Sequence, residues 1–301
     1  MFTLRQVQMF EAVARLTSYS RAAEELGVSQ PSVSVQVQEL EKELGVGLFD
    51  RSGRRTRLTE VGQVFYAKAA AVLQTVEDAQ ATVDGYLGLE RGRVRVGAVD
   101  ALGLYILPDV LRRFSDDHPG VDVELTLEPH VALVRGLEIG RLDLGYSDEA
   151  AEGVQGVEAE PVGNARLVVV VPRDHPFALQ QRAESIAFRD QRFIVEGLQS
   201  ASNVGLRWLA TGFEGAEPQV AMQVGSAEAL KQMVRAGLGV AVSYEHVVEA
   251  EYVASQIHRV LVTDLGDMRP LYALRRSSGV LAPAPAAFDV LAHTAIGELT
   301  R

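Results

Sequence analysis

A short segment of the chain carries polar side chains that could hydrogen-bond the edges of DNA bases. Its apolar residues recur at intervals of four, three and four, which predicts one buried helical stripe of Val33, Val37, Leu40 and Leu44. The outer face near the start of this helix is left to amides and hydroxyls, namely Gln30, Ser32, Ser34 and Gln38. Groups of these types can recognise base edges in the major groove.

Two helices and a tight turn must position this face. The segment from Ser18 to Leu44 predicts a first helix that ends at Gly27, because glycine adopts the left-handed conformation that closes helices. Ser29 can cap the second helix, and Pro31 fits its first turn, where no amide partner is lost. The pattern predicts a helix-turn-helix whose second helix enters the major groove. Helical pairs of this kind also serve as plain packing units, so spacing alone leaves both readings open.

A cluster of arginines follows the helical pair. The side chains surround the turn pair Ser52-Gly53 and are Arg51, Arg54, Arg55 and Arg57. Two extended arms around such a turn predict a hairpin wing, whose guanidinium groups suit phosphates and the minor groove. The alternative is a solvated charged loop. Residues 1–60 carry eight basic and eight acidic residues, so the net charge of −11 comes wholly from residues 61–301, which would repel DNA.

The run A-A-E-E-L-G-V-S-Q-P-S-V-S, followed by L-G-V-G-L-F-D-R and R-R-T-R-L-T, resembles the winged helix-turn-helix of the LysR-type transcriptional regulators. The similarity covers residues 1–60 almost without a gap. It implies that Gln30, Pro31 and Ser34 contact DNA at the start of the recognition helix and that Arg51 and Arg54 do so from the wing. With their neighbours, the predicted DNA-binding residues are Ser29, Gln30, Pro31, Ser32, Ser34, Val35, Gln38, Arg51, Arg54 and Arg55.

Val35 departs from the family pattern, in which many members have arginine, histidine or another polar residue. A valine there could touch a thymine methyl group, or it could mark a lost phosphate contact. The base preference of the predicted recognition helix is therefore left open.

A single long helix is predicted from about Glu60 to Leu87. Its apolar residues alternate by four and three, which is typical of a coiled-coil seam between two chains. The alternative is a helix packed on its own domain. Pairing would present two recognition helices and so predicts an inverted-repeat operator; the resemblance also implies that tetramers are common. The predicted dimerisation residues are Phe65, Val72, Val76, Ala79 and Val83, with Ala69 and Tyr86 in the same stripe.

From Arg93 onward, strand and helix patterns alternate, which predicts an α/β domain with parallel strands. The predicted strands are 94–98, 121–127, 142–146, 167–171, 193–195, 220–224 and 239–243, and the predicted helices are 108–118, 132–139, 203–209, 226–236 and 285–299. Two such lobes joined by crossing strands resemble the periplasmic solute-binding proteins, and in the LysR family this is the effector-binding domain.

The expected fold is therefore α/β overall. It comprises an N-terminal winged helix-turn-helix (all-α with a β wing), a long linker helix and a C-terminal two-lobed, periplasmic-binding-protein-like α/β effector domain. The predicted domains are 1–59, 60–88 and 89–301, with lobe I at about 93–162 and 268–301 and lobe II at about 163–267.

Candidate effector contacts follow from the places where the predicted strands end. Ligands of open α/β sheets bind beyond the carboxyl ends of the strands, often against the starts of helices. The residues at those places are Asp100, Ala101, Leu102, His130, Glu196, Gly197, Ser200, Ser202, Gly225 and Ser226.

Two of these residues have an ordinary structural alternative. Asp100 stands where, by resemblance, family members that bind small carboxylates have a serine or threonine, and it could simply cap the following helix. Alternatively, a pocket carrying Asp100 and Glu196 disfavours dicarboxylates and prefers a cationic, zwitterionic or polyol ligand. His130 is either a ligand contact or an ordinary residue with a satisfied side chain.

Composition and motifs argue against other classes. A length of 301 residues predicts two or three domains. There are no cysteines, and the six histidines show no pair at metal spacing, so neither a metal nor a cofactor is expected. The absence of a long apolar run and of a secretory signal predicts a cytoplasmic protein. No catalytic triad, P-loop or dinucleotide fingerprint is found, so no enzyme activity is expected.

The sequence thus predicts a DNA-binding transcriptional regulator that binds an inverted repeat and responds to a small molecule in the cleft between the lobes. The expected partners are double-stranded DNA, an effector, further copies of the chain and, as an additional candidate, RNA polymerase, with no membrane. The alternative is a helix-turn-helix regulator whose α/β domain serves assembly only. An enzyme with a DNA-binding head and a transport-type binding protein are disfavoured for want of a catalytic constellation and an export signal.

Overall fold

Three helices pack around a common apolar core to form an N-terminal head. In this computed structural model, which describes residues 1–50, 56–86, 92–197, 201–277 and 281–299, they are α1 (Leu4–Leu16), α2 (Tyr19–Glu25) and α3 (Gln30–Leu44). Val33, Val37 and Leu40 are fully buried, as their spacing predicts, and they belong to the same core as Phe10 of α1. The stripe therefore turns the opposite face of α3 to solvent.

The turn between α2 and α3 has the predicted caps. The Ser29 hydroxyl accepts a hydrogen bond from the N–H of Ser32 at 3.4 Å, and Pro31 lies in the first turn of α3. Gly27, just beyond the end of α2, has a φ of +64°, which is the left-handed conformation that glycine adopts without strain. Both predictions are confirmed.

The base of a hairpin wing follows α3. Phe49 and Leu58 form an antiparallel bridge, and the N–H of Asp50 donates to the carbonyl of Arg57 at 2.8 Å. The carboxylate of Glu41, only 7 % exposed, accepts from the N–H groups of Leu48 and Phe49 at 2.7 and 3.1 Å. This buried carboxylate ties the first arm of the wing to α3.

The long helix α4 (Glu60–Tyr86) begins against the wing. The Thr59 hydroxyl accepts from the N–H of Gly62 at 3.0 Å, and a Cβ at Gly62 would lie 2.1 Å from the carbonyl oxygen of Leu48, so only glycine fits this contact. The helix has nearly the predicted bounds. Its first turns share the core of the head, because Phe65 packs edge-on against Phe10 with ring centroids 5.2 Å apart.

The remainder of the described chain forms two α/β lobes. Lobe I contains the parallel strands β1 (Gly92–Ala98), β2 (Val121–Leu127) and β3 (Leu144–Ser147), with helices α5 (Asp100–Gly103), α6 (Leu107–Asp117) and α7 (His130–Glu138). Lobe II contains β5 (Arg182–Ala183), β6 (Arg192–Glu196), β7 (Gln219–Val224), β8 (Ala241–Tyr244) and β9 (Ile257–Val262), with helices α8 (Ala201–Ala210), α9 (Ala227–Arg235) and α10 (Glu245–Val253). Two short 3-10 turns, Pro176–Leu179 and Ser185–Phe188, precede β6. The last helix, α11 (Pro283–Leu299), packs against lobe I.

Two long antiparallel strands join the lobes. The first half of β4 (Val157–Pro172) pairs with β10 (Met268–Arg276), and its second half pairs with β8 and β9 of lobe II. The sheet order is β2-β1-β3-β10-β4-β9-β5, and β6 and β7 form a separate parallel pair. The strands end at a cleft between the lobes, where the candidate effector contacts were expected.

Most predicted elements are present, with shifts of one or two residues at their ends. The prediction missed the first half of β4 and the elements β5, α10, β9 and β10, whereas the helix α5, which begins at Asp100, was expected. Within the described residues, no helix combines the length and apolar character that a membrane crossing requires.

The Glu41 contact gives the first testable prediction. Glu41→Ala should lower the stability of the head by about 2–3 kcal/mol, because it leaves two buried N–H groups without their charged acceptor. It should also weaken DNA binding by loosening the wing. Thermal unfolding and DNA titration measure both effects, with the exposed Glu43→Ala on the same helix as the control. Equal behaviour of the two variants would contradict the role given to Glu41.

Candidate nucleic-acid interface and small-molecule cleft

The first turns of α3 form an exposed polar surface. Ser29, Gln30, Pro31, Ser32 and Gln38 are exposed. Ser34 is half-buried, and its hydroxyl accepts a hydrogen bond from the Gln38 amide at 3.5 Å. The structure thus exposes most of the predicted base-reading residues in the first turns of α3.

Val35 is the one large apolar side chain among the predicted contacts of α3. It is 50 % exposed and lies outside the buried stripe. An exposed valine on this face is placed to meet a methyl group rather than a phosphate. Its contact with DNA stays a prediction.

The wing contributes positive charge beside α3. Arg57 is exposed on the second arm, next to the backbone pair that closes the base of the wing. The predicted contacts Arg51, Arg54 and Arg55 lie outside the described residues. Their placement therefore rests on the sequence alone.

The predicted dimerisation stripe of α4 divides into two parts. Phe65 and Ala69 pack against the core of their own head, which agrees with the alternative prediction of a helix packed on its own domain. Val72, Val76 and Val83 are 50, 41 and 62 % exposed, and Ala79 is exposed as well. The second half of the helix thus presents an apolar surface that the described residues of the subunit leave largely uncovered.

A cavity of about 670 Å³ lies between the two lobes. Lobe I contributes the ends of β1 and β2 and the residue after β3, and lobe II contributes the ends of β6, β7 and β8 and the starts of α9 and α10. This is the crevice at the carboxyl ends of strands that such sheets offer to ligands. Its walls are largely apolar, and its polar side chains are Asp100, Glu128, Asp148, Glu196, Gln223, Ser243 and Tyr244.

Half of the predicted effector contacts line this cavity. They are Asp100, Ala101, Glu196, Gly197 and Gly225. Ser200 and the side chain of Ser202 lie outside the described residues. The roles of these residues in ligand binding stay predictions.

The other three predicted contacts lie in the core, at a helix cap and in a hydrogen bond within lobe I. Leu102 is fully buried in the core of lobe I. Ser226 caps α9 by accepting from the N–H of Ala229 at 3.2 Å. The Nδ1 of His130, the first residue of α7, forms a hydrogen bond with the Ser147 hydroxyl at 2.9 Å. This agrees with the alternative in which His130 is an ordinary residue with a satisfied side chain. None of the three lines the cavity.

The assignment of Asp100 as a helix cap is wrong. The N-cap of α5 is Val99, which makes no side-chain capping bond, and Asp100 is the first residue of the helix. Asp100 lines the cavity, and as an acidic residue in the first turn of α5 it also lies at the positive end of the helix dipole.

The cavity raises the pKa values of two carboxyl groups, those of Glu196 and Asp148. Burial, followed by the charges of Asp100 and Asp148, raises the pKa of Glu196 to about 7. Burial also raises the pKa of Asp148, although the Tyr244 hydroxyl donates to its carboxylate at 3.0 Å. Carboxyl groups with raised pKa values in a cleft are frequent at functional sites.

Hydrogen bonds of three side chains join the two lobes around the cavity. Tyr244 of lobe II donates to Asp148 of lobe I, and the Tyr105 hydroxyl of lobe I donates to Glu228 at the start of α9. His246 pairs its Nε2 with the carbonyl of Ala101 at 3.1 Å, and burial lowers the pKa of His246 to about 4, so this imidazole is neutral at pH 7. These contacts hold the cleft in its present width.

Sequence reasoning missed Asp148 and Tyr244, which face each other across the cleft. Asp148 directly follows β3, and Tyr244 ends β8. The rule that selected Asp100 and Glu196 also applies to these positions, so the signal was present. The candidates named from the sequence follow other strands, and none was named after the strands predicted at 142–146 and 239–243.

Comparison with known proteins assigns the class. The helix-turn-helix model described as "Bacterial regulatory helix-turn-helix protein, lysR family" matches residues 4–63, and the LysR substrate binding domain model matches residues 87–294. The fold and the two sites thus define a transcriptional regulator with a DNA-binding head and a ligand-binding domain.

Relatives and solved structures agree over nearly the whole chain. A "RuBisCO operon transcriptional regulator" of Allochromatium vinosum is 33% identical over 286 residues, covering 95% of this chain and 94% of the relative. A full-length OxyR variant of Pseudomonas aeruginosa is 26% identical with a TM-score of 0.78, covering 97% of this chain and 94% of that one. CbnR complexed with its target DNA, 23% identical with a TM-score of 0.69 over 98% and 100% of the two chains, shares the fold.

The chain belongs to the LysR family of transcriptional regulators. It is a DNA-binding regulator with an effector-binding domain, and it is not an enzyme. Its 301 residues contain no cysteine, so no thiol of this chain can serve as a redox sensor.

Because the pKa of Glu196 is raised, replacing this residue should increase the stability of the folded protein by an amount that depends on pH. A carboxyl whose folded pKa of about 7 exceeds its ordinary value of 4.5 destabilises the fold as pH rises between these values. Glu196→Gln should therefore stabilise the ligand-free protein by about 1 kcal/mol at about pH 8, after allowance for solvent screening, and by nothing below about pH 4.5.

Thermal unfolding across this pH range measures the difference. The gain should amount to about 2–4 °C in Tm near pH 8. The exposed Glu138→Gln serves as the matched control and should follow the wild type at every pH. A gain of Glu196→Gln that does not change with pH would contradict the assignment.

Proposed function

We propose that this regulator binds an inverted-repeat operator through the exposed first turns of α3 and that a small molecule in the lobe cleft changes how it does so. The observation that carries the proposal is the polar surface of Gln30, Ser32 and Gln38, which stands clear of the core beside a basic wing. Amide and hydroxyl groups at the start of an exposed helix suit base edges, and the arginines of the wing suit phosphates. We also propose that the chain divides into a DNA-binding domain (1–59), a linker helix (60–88) and an effector-binding domain (89–301).

Dimerisation through α4 follows from its uncovered apolar half. Val72, Val76, Ala79 and Val83 recur at intervals of four, three and four along about three turns of the helix. Burying such a stripe against a second copy is favourable by roughly 25 cal/mol per Å² of apolar surface. Two heads joined in this way meet DNA with two-fold symmetry, which requires two half-sites.

Larger assemblies and further partners belong to the same proposal. We propose a homotetramer that occupies two operator sites and contacts RNA polymerase at the promoter, in the cytoplasm where the DNA lies. The A. vinosum relative is named for the RuBisCO operon, so the promoter of such an operon is the first candidate target. The alternative, an α/β domain that serves assembly only, predicts no response to any small molecule.

Footprinting of the purified chain tests the DNA part of the proposal. The DNA just upstream of its own gene and a RuBisCO promoter are the two probes. The proposal predicts protection of an inverted repeat, extended to a second site. Protection of a single half-site, without any symmetry-related second half, would contradict dimer binding.

Two variants separate base reading from phosphate binding on the same DNA. Gln30→Ala should change the preference among operator sequences, because Gln30 is placed to meet base edges. Arg54→Ala should weaken binding to all sequences and lower the slope of log K against log salt by about 1. Identical behaviour of the two variants would show that α3 is not the recognition helix.

A further inference from the structure

The carboxylates of the cleft outnumber its cations. Four of the lining residues are acidic, namely Asp100, Glu128, Asp148 and Glu196. None of the described lining residues is lysine, arginine or histidine. The neighbouring residues 198–200, Leu-Gln-Ser, carry no charge either.

One of these carboxylates, Glu128, is neutralised by an ion pair to arginine. The guanidinium of Arg141 donates to both oxygens of Glu128, at 2.7 and 2.6 Å. Among the described ion pairs, Asp100 and Asp148 take part in none. Burial is the largest effect on Asp148 and raises its pKa, whereas the hydrogen bond from the Tyr244 hydroxyl and the charge of His130, when it is protonated, lower it.

Glu196 responds to the other carboxylates of the cleft. Burial is the largest cause of its raised pKa, the charges of Asp100 and Asp148 raise that pKa further, and the N–H of Ala227 at the start of α9 partly offsets them. Like charges that share a cleft repel one another. A positive charge placed among them removes that repulsion, whereas an anion adds to it.

The arrangement does not suit a metal ion. Among the described residues, no three carboxylate or histidine side chains converge at ligand distance. The carboxylates are instead distributed around a cavity of about 670 Å³ whose remaining walls are mainly apolar, including Val99, Leu127 and Leu230. A cavity of this size and composition suits a small organic molecule.

We propose that the lobe cleft recognises an organic cation, a molecule with at least one ammonium or guanidinium group on a short apolar body. The proposal rests on the proposed function, since it names the chemical class of the effector for the same cleft. The apolar body lies against Val99, Leu127 and Leu230. The charged groups lie among Asp100, Asp148 and Glu196, and the Gln223 and Ser243 side chains supply neutral hydrogen-bonding groups.

The test compares three molecules of one length and three charges. Isothermal titration of the full chain at about pH 8 uses 1,5-diaminopentane, 1,5-pentanediol and glutarate as probes. The diamine should bind at least about tenfold tighter than either of the others, because each favourable charge contact contributes about a factor of ten. Tighter or equal binding of glutarate or the diol would overturn the proposal.

Variants locate the site. Glu196→Gln and Asp148→Asn should each weaken diamine binding about tenfold. Asp117→Asn, at the exposed end of α6 on lobe I, is the control and should leave it unchanged. Diamine binding that is unaffected by both cleft variants, or absent at roughly ten millimolar, would overturn the proposal.

The pH dependence adds an independent readout. The diamine stays protonated between about pH 6 and 8, whereas Glu196, with a pKa of about 7, loses most of its negative charge towards the lower end. Binding should therefore weaken several-fold as pH falls through this range, and the change should be reduced in Glu196→Gln. Among the described groups, Asp100, Asp148 and the Ala227 N–H act on the pKa of Glu196, and His130 acts on that of Asp148. An unchanged pH dependence in Glu196→Gln would count against the assignment.

Failure of this inference is distinguishable from failure of the proposed function. A substitution at Gly225 can block the cleft, because this glycine lines the cavity, has open space at its Cβ and does not have a positive φ. Glutarate binding that is lost in Gly225→Trp would overturn the cation preference and leave a small-molecule regulator standing. A footprint that no low-molecular-weight fraction of a cell extract changes would remove the effector response itself, and with it this inference.

Discussion

The antiparallel pairing of β4 with β10 is the interaction on which the cleft depends. The two strands run side by side from Val157–Arg276 to Arg166–Met268, and β4 then continues into lobe II. Because the chain crosses between the lobes on these strands, their ladder fixes where the two sets of strand ends meet. Backbone hydrogen bonds of this kind resist stretching but allow bending, which lets the lobes change their separation without unfolding. The side-chain contacts of Tyr244, Tyr105 and His246 then set the width of the cleft in the ligand-free chain.

The same crossing strands show where prediction from the sequence ends. The head was predictable because its determinants are local: a stripe at helical spacing, a serine cap and a glycine turn, all within residues 18–44. The first half of β4 contains Pro161, and β10 contains Pro270; proline is rare inside strands, so both segments have the sequence pattern of loops. The pairing of the two strands also shifts register between Leu271 and Tyr272. Partners more than a hundred residues apart complete these strands, so no local pattern specifies them. The helix α10 was missed for another reason, since its buried residues Val247 and Val248 are adjacent and give no helical stripe.

The candidate sites divide in the same way. The exposed face of α3 follows directly from its buried stripe, so Gln30, Ser32 and Gln38 could be found from spacing alone. The cleft residues come from the ends of six different strands and the starts of the helices near them, and only the strand-end rule relates them. That rule found Asp100 and Glu196. It could not give their mutual distance, which contributes to the raised pKa of Glu196 and distinguishes the cleft from an ordinary set of helix caps.

Among the described residues, the ion pair of Glu128 and Arg141 lies between the lobe cleft and the head. Glu128 lines the lobe cleft, and its partner Arg141 lines a second cavity of about 710 Å³ between lobe I and the head. Arg15 of α1 and Tyr66 of α4 line the same second cavity, and the charge of Arg141 lowers the pKa of Tyr66 against a larger effect of burial that raises it. One partner of this ion pair thus lines the lobe cleft, and the other lines the second cavity, beside the head. Coupling between two sites needs a structural element that both contact, and this pair has that position.

Operator affinity measured with and without a cleft ligand tests the central claim most directly. Fluorescence anisotropy of labelled operator DNA, at one fixed salt concentration, would be recorded for the wild type and for Gly225→Trp in the presence and absence of a low-molecular-weight cell extract. The account predicts a change in affinity for the wild type and none for the cleft-blocked variant, with equal affinity of both proteins in the absence of extract. An equal change in both proteins, or no change in either, would contradict regulation through the cleft.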